Sequence, residues 1–476
     1  MIKTPPDFYK ILIDKFPFDP TTAQDSLLHK LTDFIFEKNS NALFLIKGYA
    51  GTGKTTTIST VVNNLWRVGK KAVLLAPTGR AAKVIAGYSN RAAYTIHKKI
   101  YQPRKNKSGG VDFVLQANKH TNTLFIVDEA SMIPDSPSGT KLFDNNALLD
   151  DLIVYVYSGV NCKLILIGDT AQLPPVKLSI SPALDVQKLA LTYNKYVEEI
   201  ELNEVMRQHE KSGILINATT LRILISNNGL SDFKFETGFP DVVRLIDGYE
   251  IQDAINTAYD NIGVEDTAFI VRSNKRANQY NQQIRSKIRG QENEISTGDY
   301  VMVVKNNYFW LKESSDAGFI ANGDICEILH IKNTKELYGF KFADVTVRMI
   351  DYPNQKPFET VLLLDTLTSE TPSLSYEDSN RLYQEIAKDF AHEKSKYKQL
   401  LGIKKSPYFN ALQVKFSYAV TCHKSQGGQW KNVFIEQPYL PDGQSVEYLR
   451  WLYTAITRAT EKLYLIGFKD SYFFDN

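Results

Sequence analysis

Short apolar runs bounded by turn-forming residues recur along the chain: Leu43 to Lys47, Ala72 to Ala76, Thr123 to Val127, Lys163 to Ile167, Thr267 to Val271, Val433 to Glu436 and Lys462 to Ile466. Runs of this length without polar alternation predict strands buried on both faces, as in parallel sheets. Helical periodicity fills several of the gaps, over Lys54 to Val68 and Asn274 to Ile288. Repeated strand, helix and strand predict an α/β fold, with two parallel sheets dividing near residue 190.

Two stretches interrupt the pattern. Residues 88–118 contain the polar turn Arg104 to Gly110 between β-prone segments, which predicts an inserted β-hairpin. Residues 296–410 carry short strand candidates, Asp299 to Lys305, Asp324 to Ile331 and Tyr338 to Ile350, followed by a charged helical run from Asp378 to Leu401. A separate inserted module is expected there. The charges between Glu385 and Lys398 read as a solvated helix face and receive no chemistry. The expected division is therefore 1–190, then 191–295 with 411–476, with 296–410 inserted.

Composition agrees with several cores. The chain has 476 residues, beyond the roughly 250 to 300 at which a single core stops growing. A hydrophobic fraction of 43% and a charged fraction of 23% are those of a folded globular protein. Net charge is only +3, from 56 basic and 53 acidic side chains, so any nucleic-acid surface must arise from local placement. Cys162, Cys326 and Cys422 are scattered without CxxC spacing. That argues against a disulfide framework or a zinc site and suits a reducing cytoplasm. The amino terminus has no basic stretch leading into an apolar one, and nowhere do 18 apolar residues run together, so neither export nor a membrane partner is expected.

Candidate chemistry lies where the predicted strands end. The loop Gly48-Tyr49-Ala50-Gly51-Thr52-Gly53-Lys54-Thr55 follows one apolar run and opens a helical pattern. Glycines there let backbone N–H groups, through Thr56, close around phosphate oxygens at a positive helix end. Lys54 would reach the terminal phosphates, and the Thr55 hydroxyl would bind Mg2+. A chance glycine-rich turn would lack the strand and helix on its two sides. A second apolar run ends in Asp128 and Glu129. Asp128 would hold Mg2+, and Glu129 would orient or deprotonate an attacking water. A third run leads into Gly168-Asp169-Thr170-Ala171-Gln172, where Gln172 is either a γ-phosphate sensor or a loop residue capping backbone groups.

Taken in order, these motifs resemble superfamily 1 helicases, specifically the RecD/Dda branch of superfamily 1B, across most of the chain. Phe18 to Gln24 resembles the adenine-reading glutamine motif, and Leu75 to Lys83, with Thr78 and Lys83, resembles the first strand-contacting motif. Thr95-Ile96-His97 resembles the next. Leu202 to Gln208 is similar to the motif carrying a phosphate-binding arginine, Arg207. Val420 to Gly427, including Thr421, His423 and Gln426, resembles the motif joining the ATP and DNA sites, and Leu452 to Ala459 the last motif, whose arginine is Arg458. One departure is that Gly427 is followed by Gly428 and Gln429, where the family commonly places an acidic residue two positions on; the ribose contact it carries is unassigned here.

The resemblance implies two tandem RecA-like domains with ATP and Mg2+ between them. It implies an SH3-like barrel around Gly298 to Tyr308, Asn307 included, and Asn322 to Asp324, plus a helical tower-like extension. The implied activity is ATP-driven 5′ to 3′ translocation and unwinding by a monomer in DNA replication, recombination or repair. The implied partners are single-stranded and tailed duplex DNA, with RNA or structured DNA left open. Arginines from one domain would complete the phosphate site only when the cleft shuts. Thr78, His97, Thr421 and His423 would donate to strand phosphates without reading bases. In the hairpin, Arg104, Lys105, Lys107 and Phe113 mix basic and aromatic character. Phe113 is either a wedge against DNA or an ordinary core aromatic. A nucleotide-controlled assembly module and a simple P-loop kinase are the competing readings; a kinase leaves the two arginine motifs without a role.

Overall fold

The computed structural model describes residues 2–105, 111–135, 147–176, 178–204, 212–227, 232–311, 317 and 319–474, with the side chains of 103–105 and 111–113 excluded. Strands are numbered along the chain. The first sheet comprises β1 (Ala42–Gly48), β2 (Lys71–Ala76), β3 (Ala93–Thr95), β6 (Thr123–Val127), β7 (Lys163–Gly168) and β8 (Tyr196–Leu202). They are all parallel, in the order β3-β2-β6-β7-β1-β8. The apolar runs are continuous because both faces are covered. Phe44, Ile46, Ile126 and Ile165 pack on one side with the helix Thr22–Phe36, while Leu43, Leu45, Phe125 and Leu164 pack on the other. Successive side chains of a strand point to opposite faces.

The second sheet holds β9 (Val242–Leu245), β10 (Thr267–Val271), β16 (Ala419–Thr421), β17 (Trp430–Glu436) and β18 (Ala459–Ile466), parallel in the order β16-β10-β17-β18-β9. One face stacks Phe269, Phe434 and Tyr464, with ring centroids 4.5 and 4.3 Å apart. The other buries Ile270, Val433 and Leu463 against the helix Val446–Ile456.

Between β10 and β16 the chain leaves to form a closed barrel of β11 (Tyr300–Val303), β12 (Ile325–Leu337), β13 (Phe340–Met349), β14 (Phe358–Leu363) and β15 (Leu412–Phe416). Its joint to the second sheet is a buried pair: Arg285 donates through Nε and Nη2 to both oxygens of Asp299, each at 2.9 Å, and the Tyr418 hydroxyl adds a third bond at 2.8 Å. β4 (Tyr101–Lys105) and β5 (Val111–Leu115) form the inserted hairpin, with Pro103 opposite Phe113. Phe113 is thus placed by its backbone; its side chain lies outside the described residues, as do Lys107 and the rest of the turn.

Three boundaries differ from expectation. The division near residue 190 falls one strand early, because β8 pairs with β1 along its whole length. Its sequence, Tyr-Val-Glu-Glu-Ile-Glu-Leu, alternates like an edge strand instead of forming an apolar run. The inserted module continues past 410, because β15 closes the barrel against β11 and β14. The helical run expected over 378–401 is two helices, Tyr376–Asp389 and Lys396–Lys405. Phe390 fits against Gly402 at the bend, so the pair folds back and buries Leu382, Ile386 and Ile403 on the barrel.

Candidate nucleotide site between the two sheets

One cavity of about 450 Å³ lies at the carboxyl ends of β1, β6 and β7 of the first sheet and at the amino ends of β17 and β18 of the second, lined by Lys54, Thr55, Asp128, Glu129, Gln172 and Arg458 among others. Ligand clefts of such sheets form at the carboxyl ends of the strands. The loop after β1 turns through Gly51 (φ 75°) and Gly53 (φ 78°), left-handed conformations that favour glycine, and Gly53 caps the helix Lys54–Asn64. Lys54 Nζ donates to the carbonyls of Gly48 and Tyr49 at 2.6 and 2.7 Å, which holds its ammonium over the loop. Gly51, Gly53 and Thr56 face the cavity as well.

The carboxylates arrive on β6. Burial, reinforced by the neighbouring Glu129, pushes the Asp128 carboxyl up to about 6, although the Glu129 N–H donates to its Oδ1 at 2.9 Å. Glu129 itself has φ 52°, an uncommon conformation for a non-glycine residue, at the point where its side chain meets the second domain. Its Oε1 is 3.7 Å from Arg458 Nη1. Arg458 is 4% exposed and is fixed by bonds to the carbonyls of Thr454 and Gly428 and to Thr457 Oγ1. The Thr55 hydroxyl and the Asp128 carboxylate, two oxygen donors on one cavity, suit Mg2+, which takes one or two protein ligands alongside phosphates.

The segment after β7 is held by the second domain. Thr454 Oγ1 accepts from the Leu173 N–H at 2.9 Å, and Gln426 Nε2 donates to the Leu173 carbonyl at 2.7 Å. Arg450 donates to the Thr170 carbonyl. Gln172 is 7% exposed, and its side-chain oxygen has no hydrogen-bond partner among the described residues, so it is available to accept from a water in the cavity.

Other expected residues stand elsewhere. Gln24 is 1% exposed and lies behind the loop: its Oε1 accepts from the Thr21 N–H at 3.1 Å and its Nε2 donates to the Thr52 carbonyl at 3.0 Å. Thr52 is buried with it, and Gly48 lies under the Lys54 side chain. Gly427 does reach the cavity, in a left-handed turn (φ 73°) that packs against Thr78 and Ala81, whereas Gln426 is spent on Leu173. Arg207 and Gln208 lie outside the described residues.

Of the residues expected at a strand, Thr78 accepts from the Ala81 N–H at 3.2 Å as a helix cap, which leaves its hydroxyl proton free to donate. Lys83 faces the barrel, 3.6 Å from Asp351. Burial pushes the His97 imidazole down to about 4, so it is neutral at pH 7. Asn307, half-buried in the loop after β11, is committed to its neighbours, donating to the Asn410 carbonyl and accepting from the Phe309 N–H. His423 is exposed, and Thr421 opens the short helix Cys422–Ser425 without a side-chain cap bond.

Sequence reasoning passed over Asp169 and Tyr453. Asp169 is buried at the end of β7, and its hydroxyl partner comes from the other domain. The available signal was a carboxylate directly following the apolar run Leu164 to Ile167 and Gly168. It passed over Arg80 too, which stacks on Trp430 at 4.0 Å and so joins the helix Gly79–Ser89 to the second sheet.

A family model described as an AAA domain matches residues 32–223, and one described as a UvrD-like helicase C-terminal domain matches residues 416–466. The ATP-dependent DNA helicase Dda of Enterobacteria phage T4 is 23% identical over 94% of this chain and 99% of its own length. The ATP-dependent RecD2 DNA helicase of Deinococcus radiodurans is 30% identical over 41% of this chain but only 24% of its own length. An uncharacterised protein of Acanthamoeba polyphaga mimivirus, R530, is 24% identical over 93% of this chain and 98% of its own. With one family model on each parallel sheet and Dda similar over nearly its whole length, the chain is similar to ATP-dependent DNA helicases of the UvrD/RecD-like type.

Proposed function

We propose that this chain is a monomeric, cytoplasmic motor that translocates on single-stranded DNA, 5′ to 3′, and unwinds duplex by hydrolysing ATP in the cleft between its two parallel-sheet domains. The observation that carries the reading is that Lys54, Asp128 and Glu129 of the first domain share one cavity with Arg458 of the second. Each step has a group to perform it. Backbone amides of the loop and Lys54 bind and orient the phosphates. Thr55 and Asp128 would hold Mg2+, which when bound neutralises phosphate charge. Glu129 accepts a proton from the attacking water, and the Gln172 side-chain oxygen orients that water. Arg458, joined by Arg207, offsets charge that develops on the transferred phosphoryl group.

Because the phosphate groups and the arginine sit on different domains, nucleotide occupancy changes the free energy of closure. A strand lying across both domains is then gripped unequally in open and closed states. Thr78, His97, Thr421 and His423 are proposed as its phosphate contacts, with Lys83 and Asn307 at the barrel side and Phe113 as the wedge. Support for the barrel's part is that helix Gly79–Ser89, which begins at Thr78, docks on Asp324 and Tyr352. Polarity, and a role in replication, recombination or repair, rest on the motif resemblance to the RecD/Dda branch.

The test is unwinding of duplexes carrying a 5′ or a 3′ single-stranded tail, each in DNA and RNA, by the wild type and Lys54→Ala. Unwinding of 5′-tailed DNA alone, lost with ATP hydrolysis in Lys54→Ala, is expected. Strand separation that survives Lys54→Ala removes the motor reading.

A further inference from the structure

The Tyr453 hydroxyl occupies an uncommon position. It belongs to the helix Val446–Ile456 of the second domain, and the side chain is 1% exposed. Yet both its hydrogen bonds are made to the first domain. It donates to Asp169 Oδ2 at 2.6 Å and accepts from the Ala50 N–H of the phosphate loop at 3.0 Å. One atom therefore ties together the end of β7, the phosphate loop and the helix that leads to Arg458.

The remaining geometry connects that tie to the arginine. Thr457 Oγ1 donates to the Tyr453 carbonyl at 2.8 Å, and the Arg458 guanidinium bonds to the Thr454 carbonyl at 3.0 Å and to Thr457 Oγ1 at 3.2 Å. Tyr453 and Arg458 thus belong to one hydrogen-bonded turn and a half. Each residue of a helix advances about 1.5 Å, so a slip of one residue at Tyr453 is enough to carry the guanidinium out of reach of a fixed phosphate. Asp169 is well suited to anchor the turn: its other oxygen accepts from the Ala171 N–H at 2.9 Å, which fixes the carboxylate plane. Burial raises the phenol far above its ordinary range, so it stays a donor at every working pH. The neighbouring bonds from Thr454 and Gln426 to Leu173 hold the same segment but do not reach the phosphate loop.

We infer that Tyr453 is a positioning residue for ATP hydrolysis: its hydroxyl, bridging Asp169 and the Ala50 N–H, sets where Arg458 stands relative to the phosphates. The inference rests on the reading of the cleft as an ATP-hydrolysing site. It separates Tyr453 from an ordinary core aromatic, whose effect would survive when the ring alone is kept.

The test uses the full chain and compares wild type, Tyr453→Phe, Arg458→Ala and the double variant. ATP turnover is measured at saturating oligo(dT), with KM and kcat resolved, alongside binding of a fluorescent ADP analogue. Tyr453→Phe keeps the ring and is expected to lower kcat by about 10-fold to 100-fold, the size of one hydrogen bond to a charged group. KM for ATP and ADP-analogue affinity should stay within about threefold. In the Arg458→Ala background the same change should lower kcat by less than about threefold, because the group it positions is gone.

Equal fold-losses in the two backgrounds, or a raised KM with kcat unchanged, overturn the inference. So does a Tyr453→Phe enzyme with wild-type turnover. A wild type without ATPase activity sinks the reading of the cleft itself and is thereby distinguished from those outcomes. Should Tyr453→Phe fail to fold, Asp169→Asn weakens the same bond from the other domain. It must show the same kcat loss and the same dependence on Arg458.

Discussion

Replacing Arg458 by alanine probes the interdomain site most directly. Its guanidinium is 4% exposed and stands 3.7 Å from Glu129 Oε1, at the wall of the cavity that Lys54 also lines. At a comparable distance from a phosphate oxygen, two unit charges interact by about 4 to 5 kcal/mol at an effective dielectric near 20. At about 1.36 kcal/mol per factor of ten, that is a kcat loss of roughly 10³, the lower end of what an arginine finger supplies in phosphoryl transfer. Removing the side chain also strips bonds from the carbonyls of Thr454 and Gly428, so a lower thermal midpoint is expected alongside. Arg458→Lys separates the two effects, since it restores charge without the planar fork and should recover only part of the rate. Turnover at saturating oligo(dT), fluorescent ADP-analogue affinity and thermal midpoint are the readouts. A loss under about tenfold in Arg458→Ala, with nucleotide affinity intact, means the arginine does not face the reacting phosphate.

Other outcomes follow from particular contacts. Burial pushes the Asp324 carboxyl up to about 8, so the folded chain binds that proton more tightly than the unfolded one, whose carboxyl titrates near 4. Its contribution is fully present below pH 4 and is lost as pH rises from about 4 to 8, by up to ~5 kcal/mol. Asp324→Asn should flatten the fall in thermal midpoint between pH 5 and pH 9; parallel profiles would show that the carboxyl is not held protonated. A Cβ on Gly79 would stand 2.6 Å from Asp324 Oδ1 and 2.7 Å from the Tyr352 hydroxyl. Gly79→Ala should therefore cost about 1 to 3 kcal/mol at the barrel joint and weaken oligo(dT) binding measured by fluorescence anisotropy, while ATPase without DNA persists. Phe113→Ala should cut duplex unwinding far more than strand-stimulated ATPase; equal losses remove the wedge.

Seven strands of the two parallel sheets, β1, β2, β6, β7, β10, β17 and β18, were legible in the chain because their apolar runs are buried on two faces, and a run so placed carries no polar alternation. The phosphate loop was legible for a related reason: Gly51 and Gly53 stand in left-handed conformations that local sequence must permit, and Lys54 opens a helix in the same short stretch. The carboxylates Asp128 and Glu129 announced themselves by following an apolar run. In each case the physical requirement acts within about ten residues, so it is written in adjacent positions.

What lies between distant segments was not legible. β8 alternates and carries Glu198, Glu199 and Glu201, and nothing local says that it completes the first sheet beside β1. The barrel closes through Leu362 and Leu363 beside Leu412 and Gln413, a pairing across a helical excursion that no periodicity encodes. The Gln24 amide turns to Thr21 and Thr52, and Lys83 to Asp351. The Tyr453 hydroxyl finds Asp169 some 284 residues away in the chain. Periodicity reports how much of each element is buried, because burial acts on one residue at a time. Partner choice is a property of pairs, and pairs are settled when the domains pack.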